Sequence, residues 1–225
     1  MTLFPDLINA VLGESVTGRA LQKNLFELNA VNIRDFTLDK HNRVDDAPYG
    51  GGSGMVMAAQ PVYDCYMSLI KDTKSKPKTI YLTPHGKTFN QQMAKELSKE
   101  EHLIFLCGHY EGIDQRVIDI IEPIEVSLGD FILTGGELAV LPVCDSILRL
   151  IPGVLGNENS AVEESFENNL LEYPQYTRPE EFMGRKVPDV LLSGHHKNIA
   201  KWRYEQSVKI TEEKRPDLLK KNSEK

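Results

Sequence analysis

Long hydrophobic runs are missing from this 225-residue chain; its apolar stretches fall far short of the roughly 20 residues that a membrane helix needs. The opening Met1-Thr2-Leu3-Phe4-Pro5-Asp6 lacks a basic stretch followed by an apolar one, so no secretory signal is expected. Cysteine is scarce. Cys65, Cys107 and Cys144 are odd in number and widely spaced, which fits free thiols in a reducing cytoplasm and not a disulfide frame or a zinc site. The Gly-rich segment Tyr49-Gly50-Gly51-Gly52-Ser53-Gly54 is followed by no Gly-Lys-Ser/Thr, so it is no Walker loop. Neither a strand nor an acid twenty residues on frames it as a dinucleotide fingerprint, and a flexible loop is the plain reading. No Gly-x-Ser-x-Gly elbow supports a serine hydrolase. His85 and His109 have no second ligand at i+4, so no metal site is expected from them. An excess of positive charge is also lacking: the net charge is −7, which argues against a general nucleic-acid binder.

That charge is uneven. Residues 195–225 hold nine Lys/Arg and five Asp/Glu, a balance of +4, so the first 194 residues carry −11. A basic tail on an acidic body suits a localised anionic partner, and a solvated helix of mixed charge is the bland alternative. The length suits one large domain, or one of about 150 residues with a smaller one behind it.

Apolar runs alternate with helix-like segments. Strands are expected at 31–36, 79–82, 103–107 and 124–126, and helices at 61–71, 90–98, 114–121 and 137–150. Pro61 suits a first helical position, and Asn90 and Asp114 suit caps. Strand and helix in alternation with short connections imply an α/β fold, a parallel sheet covered by helices. From Pro152 to Phe166 periodicity stops and Gly, Asn, Ser and Glu crowd together, as in a linker. Beyond it, residues 198–210 read as an amphipathic helix anchored by Ile199, Trp202, Val208 and Ile210.

Ligands of open parallel sheets bind beyond the carboxyl ends of the strands. Three short glycine-bearing loops fall there: Thr83-Pro84-His85-Gly86, Gly108-His109-Tyr110-Glu111-Gly112, and Leu128-Gly129-Asp130-Phe131-Ile132-Leu133-Thr134-Gly135-Gly136. Each glycine alone is ordinary turn chemistry, whereas three such loops after three successive strands point to a ligand. The third loop opens directly into a helix, whose first N–H groups have no partner within the helix.

The motifs Arg34-Asp35-Phe36, Pro48-Tyr49-Gly50-Gly51-Gly52, Cys107-Gly108-His109-Tyr110-Glu111-Gly112-Ile113-Asp114, Arg149-Leu150-Ile151-Pro152-Gly153-Val154-Leu155-Gly156, Tyr176-Thr177-Arg178-Pro179 and Ser193-Gly194-His195-His196 occur in order. With them the chain closely resembles the bacterial tRNA (guanine-N1)-methyltransferases, a family of the trefoil-knotted SPOUT methyltransferases, from about Thr2 to Leu219.

The resemblance implies a deep trefoil knot in the sheet, a rare exception to unknotted connections. It implies a knotted catalytic domain over residues 1–151, a flexible linker over 152–167 and a small helical tRNA-binding domain over 168–225. S-adenosylmethionine would sit in the knot against Tyr81, Leu82, Thr83, Pro84, Gly108, Tyr110, Glu111, Gly112, Leu128, Gly129, Asp130, Phe131, Ile132, Leu133, Gly135 and Gly136. The family is a cytoplasmic homodimer that joins the knot of one subunit to the second domain of the other. Its substrate is the guanosine immediately 3′ of the anticodon, presented by the anticodon stem-loop. Mg2+ is compatible with this chemistry, with no ligands assigned to it.

The chemistry itself sets two requirements. Neutral guanine carries a proton on N1, and removing it drives negative charge onto O6. A base is needed near N1 and a cationic donor near O6. Arg149 matches the family's arginine for O6; read plainly, it complements a helix C-terminus. Glu164 occupies the base position, where the family usually has Asp. Thr83, His85 and Phe131 stand where Ser, Gln and Tyr are common. A ribose 2′-O-methyltransferase of the same fold and a catalytically silent tRNA-binding module are the rival expectations.

Overall fold

Thr2 ties the start of the chain to residues 31–33: its N–H donates to Val31 O (3.0 Å) and its carbonyl accepts from the Ile33 N–H (2.9 Å). The computed structural model, which describes residues 1–156 and 164–220, places two helices inside this closure, α1 (Pro5–Leu12) and α2 (Ser15–Gln22). The strand expected at 31–36 is a single bridge from Asn32 to Thr2 followed by a 3-10 turn, Ile33–Phe36. The Asn32 side chain accepts from the Arg34 N–H (3.0 Å) and bends the backbone out of extension there.

A short antiparallel pair, β1 (Asp45–Asp46) and β2 (Val56–Met57), closes the Gly-rich segment between them. Helix α3 (Ala59–Ile70) starts two residues before the expected Pro61. Proline is tolerated there because the N–H groups of a first turn have no acceptor within the helix. Then β3 (Lys78–Thr88), α4 (Gln91–Leu97), β4 (Leu103–Leu106), α5 (Gln115–Ile121), β5 (Ile124–Ser127) and α6 (Gly136–Leu148) follow in the expected alternation. Asn90 and Asp114 cap α4 and α5, accepting from the Met93 and Arg116 N–H groups at 3.0 Å each.

The three strands form a parallel sheet in the order β4-β3-β5. Alternate residues feed two cores. Ile104 and Leu106 join Ile33, Val62 and Ile118 in one; Ile80, Leu82 and Val126 join Ile8, Val140 and Val143 in the other. Strands covered on both faces are apolar on both faces, which is why they read as runs and not as alternation. Each fully buried Ile or Val contributes about 1.5–3 kcal/mol. One irregularity positions the site. Leu82 and Lys87 both pair with Val126, so residues 83–86 leave the ladder as a bulge at the carboxyl end of β5.

Residues 151–156 finish the first compact unit, Met1–Gly156, with Val154 buried. The second unit, residues 157–225, holds a 3-10 turn (Glu167–Asn169), a small hairpin of β6 (Glu181–Phe182) and β7 (Arg185–Lys186), and helices α7 (Asp189–Leu192), α8 (His196–Lys214) and α9 (Pro216–Lys220). The hairpin has no counterpart in the sequence reading. On α8 the expected anchors Ile199, Trp202, Val208 and Ile210 are only half-buried, while Ser207 and Thr211 are the buried positions. Thr211 Oγ1 donates to Ser207 O (2.6 Å) and accepts from the Leu171 N–H (2.9 Å), pinning the 170–173 segment to the helix. Among the described residues no helix is long and apolar enough to cross a membrane.

Candidate active site

The three loops meet. The bulge at 83–86, the 107–112 turn after β4 and the 128–135 loop after β5 enclose one cleft of about 470 Å3. Every residue expected to hold the methyl donor lines it except Asp130, which is exposed on the third loop. His85, His109, Gln115, Glu125 and Ser127 line it as well, and the sequence reading assigned none of them to a donor site. The two histidines stand on two of the three glycine-bearing loops that the sequence points to as a ligand site, His85 in the bulge of β3 and His109 after β4.

Local chemistry shapes the walls. Gly112 and Gly129 hold φ of +133° and +147°, a region closed to most side chains. Ser127 Oγ accepts from the Gly129 N–H (3.1 Å) and donates to Gly129 O (3.2 Å), fixing the exit from β5. The second and third loops are seamed together: the Gly136 N–H donates to Gly108 O (2.7 Å), and a Cβ on Gly136 would stand 2.7 Å from Gly108 N. A Cβ on Gly108 would stand 3.0 Å from the Tyr81 ring, whose hydroxyl lies across the same turn. Burial raises the Tyr81 phenol above its ordinary value, with nearby Glu125 adding to the shift, so it stays a neutral donor.

Thiol chemistry has no foothold. Burial pushes Cys65 up to about 11 and Cys107 and Cys144 up to about 12, leaving all three protonated at neutral pH. Among the described residues no group of three or more His, Cys, Asp or Glu converges as a metal site.

Arg149, one of the two residues expected to carry the catalysis, does not line the cleft. Arg149 is the C-cap of α6, the helix whose first turn lines the cleft. At 1.5 Å per residue it stands roughly 15 Å along the axis from Ala139, the last residue of that turn to line the cleft, beyond the reach of an arginine side chain. Glu164 belongs to the second unit. It is half-buried in a cleft of that unit, about 540 Å3 in volume, shared with Tyr173, His196 and Arg203. There the Arg203 guanidinium lies over the Tyr173 ring, 4.7 Å from its centre. Residues 157–163 of the expected linker, Glu163 among them, fall outside the described residues.

A family model described as tRNA (Guanine-1)-methyltransferase TrmD matches residues 1–221. The tRNA (guanine-N(1)-)-methyltransferase of Ruminiclostridium cellulolyticum is 59% identical over 221 residues, covering 98% of this chain and 95% of its own. The protein of the same name from Clostridium beijerinckii is 62% identical over 223 residues, covering 98% and 91%. That from Clostridioides difficile is 57% identical over 226 residues, covering 100% and 98%. Matched along nearly its whole length, this chain belongs to the tRNA (guanine-1)-methyltransferase TrmD family.

Proposed function

We propose that this tRNA (guanine-N1)-methyltransferase binds S-adenosylmethionine in the three-loop cleft and methylates the guanosine immediately 3′ of the anticodon. One observation carries the reading: three loops separated by tens of residues in sequence close on a single cleft of about 470 Å3. That volume suits a ligand the size of a nucleoside with an amino-acid tail. The walls fit it too, since their glycines are tightly seated: a Cβ on Gly108 would press on the Tyr81 ring and one on Gly136 on the backbone of residues 107–108. The bulge at 83–86, laid against β5, supports a chain that threads the sheet as a trefoil knot.

The donor supplies an electrophilic methyl carbon, whose bond to sulfur breaks with the electron pair staying on sulfur. The protein's task is to make guanine N1 a nucleophile at that carbon. Glu164 takes the N1 proton, and Arg149 donates to O6 as negative charge gathers there. Arg149 does not line the donor cleft of its own unit. This supports a homodimer in which the partner completes each site. The exposed apolar stripe of Phe4, Leu7 and Val11 on and before α1, with Leu138 exposed on α6, supports a second copy covering this face. The basic residues of 195–225 suit the phosphates of the anticodon stem-loop, and a cytoplasmic location follows from the substrate.

The test is mass spectrometry of a tRNA transcript incubated with the enzyme and S-adenosylmethionine. One methyl on N1 of the guanosine 3′ of the anticodon is expected. A methyl on a ribose 2′-oxygen, or none, would overturn the reading.

A further inference from the structure

The donor cleft carries negative charge that nothing in the protein balances. Glu111 and Glu125 line it, and among the described residues no Lys or Arg does. The two acids differ. Glu111 is exposed, and its side chain lies against Gly54, where a Cβ would stand 2.6 Å from Glu111 Cγ. Glu125 is half-buried in the wall of the cleft. Side chains alternate along β5. Val126 enters the second core with Ile80 and Leu82, so Glu125 stands on the opposite face, in register with Tyr81. Tyr81 lines the same wall and feels the carboxylate: after burial, Glu125 is the other cause that raises its phenol above the ordinary value.

Among the described residues the Glu125 carboxylate accepts no hydrogen bond and forms no ion pair. A carboxylate drawn partly out of water loses hydration, and no donor or cation of the protein makes up that loss. A cationic ligand would. The ligand assigned to this cleft changes charge when it reacts. S-adenosylmethionine is a sulfonium. Once its methyl has gone to guanine N1 and the electron pair of the broken bond has stayed on sulfur, S-adenosylhomocysteine is left with a neutral thioether. The adenosine, the ammonium and the carboxylate are common to both.

We propose that Glu125 is a specificity-determining residue of the donor cleft, the carboxylate by which the cleft favours the cationic methyl donor over its neutral product. The inference rests on the reading of this cleft as the donor site. It gives a reason for an unpaired acid in the wall, and it gives the cleft a means of exchanging spent product for fresh donor. Glu125 moves neither the methyl nor the N1 proton. Its attraction acts on the sulfonium before transfer, so it favours exchange and not the speed of the transfer step.

Calorimetry on the full-length protein tests it, with S-adenosylmethionine and S-adenosylhomocysteine as probes and the ratio of their dissociation constants as the readout. Glu125→Gln keeps the shape and removes the charge. It should weaken donor binding about threefold, the scale of one charge pair in a partly exposed site, and leave product binding as in wild type. Glu125→Asp keeps the charge and should keep most of the preference. Equal weakening of both probes in Glu125→Gln would mean that Glu125 serves a group they share, the ammonium or the ribose, and would overturn the proposal, as would unchanged affinity for both. A preference lost as fully in Glu125→Asp as in Glu125→Gln would make the effect one of shape and overturn it too. Should Glu125→Gln fail to fold, salt takes its place on the wild type. The preference for the donor should shrink between about 0.05 M and about 0.5 M salt, and a constant preference would overturn the proposal. A wild-type protein that binds neither probe would instead bring down the reading of the cleft as the donor site.

Discussion

The backbone of Gly86 lies flat on the peptide that joins Glu125 to Val126. A Cβ on Gly86 would run into the Val126 amide nitrogen and the Glu125 carbonyl carbon and would stand 2.5 Å from Val126 Cα. The bulge crosses β5 at this point before Lys87 returns to the ladder against the same Val126. Glycine is required here because two main chains touch, not because the turn needs a positive φ.

Gly86→Ala should therefore be severely destabilising. Backbone cannot rotate aside as a side chain can, so the penalty should exceed the about 1–3 kcal/mol of ordinary overpacking. In a protein of this size that lowers the melting temperature by roughly 10 °C. Gly156→Ala is the control: nothing among the described residues lies within 4 Å of its Cβ position, and it should melt within a degree or two of wild type. Equal melting temperatures for the two variants would mean that the crossing at Val126 is loose.

This crossing also marks where the sequence stopped being legible. The strands at 79–82, 103–107 and 124–126 were readable because strands buried on both faces are runs of apolar residues. The cleft loops were readable because glycines follow each strand. Nothing local announced that β3 would resume at Lys87, since its partner there is Val126, about forty residues on. At 31–36 the apolar pattern promised a strand, and a side-chain hydrogen bond from Arg34 N–H to Asn32 won over it. Glu137 looked like any acid in a first helical turn. Its burial depends on Thr2, 135 residues earlier in the chain.

Alkaline pH should expose the cost of burying Cys107. Its thiol is 2% exposed and pushed from the ordinary 9.0 up to about 12. Below pH 9 the thiol is protonated in both states and costs nothing. Between pH 9 and about 12 the unfolded chain ionises and the folded one does not, so stability falls as pH rises, by at most about 1.4 kcal/mol per pH unit from this group. Cys107→Ala removes that slope. Urea denaturation at pH 8, 9, 10 and 10.5 should show the stability advantage of wild type over the variant shrinking with pH. A constant gap would mean that the buried thiol ionises as easily as a free one.

Shared sites can be tested by mixing. Gly135→Val should fill the space between Glu137 and His109 and disable its own cleft, while Arg149→Ala leaves the cleft intact and removes the group assigned to guanine O6. Each variant alone should be nearly inactive. Because Arg149 stands roughly 15 Å along α6 from the nearest lining residue of its own cleft, Ala139, a heterodimer should hold one complete site, made of the cleft of the Arg149→Ala chain and the arginine of the other. Activity recovering toward half of wild type in isolated heterodimers is expected. No recovery would place the arginine in the same chain as the cleft it serves, or remove it from the site.

Glu164 carries the largest chemical claim. The reaction needs a base at N1, and we assign that role to this carboxylate. In the second unit it lies half-buried in a cleft with Arg203 and Tyr173, next to residues 165–169, where Phe166, Asn168 and Asn169 all hold positive φ. Such backbone strain clusters at functional sites. We expect the base to meet guanine when tRNA binds, as in sites that assemble on closure. Glu164→Gln keeps the shape and removes the basicity. Single-turnover methyl transfer should fall by roughly two to four orders of magnitude, while donor and tRNA affinities change little. Glu164→Asp should keep substantial activity, because the carboxylate and its basicity remain. Glu163→Gln is the control and should transfer at the wild-type rate. The pH–rate profile separates a base from a mere tRNA contact: the acidic limb of the wild type should vanish in Glu164→Gln, since the group whose deprotonation it reports is gone. A Glu164→Gln protein with wild-type single-turnover rates and an intact acidic limb would exclude this carboxylate as the base, and loss of rate in Glu163→Gln instead would move the assignment by one residue.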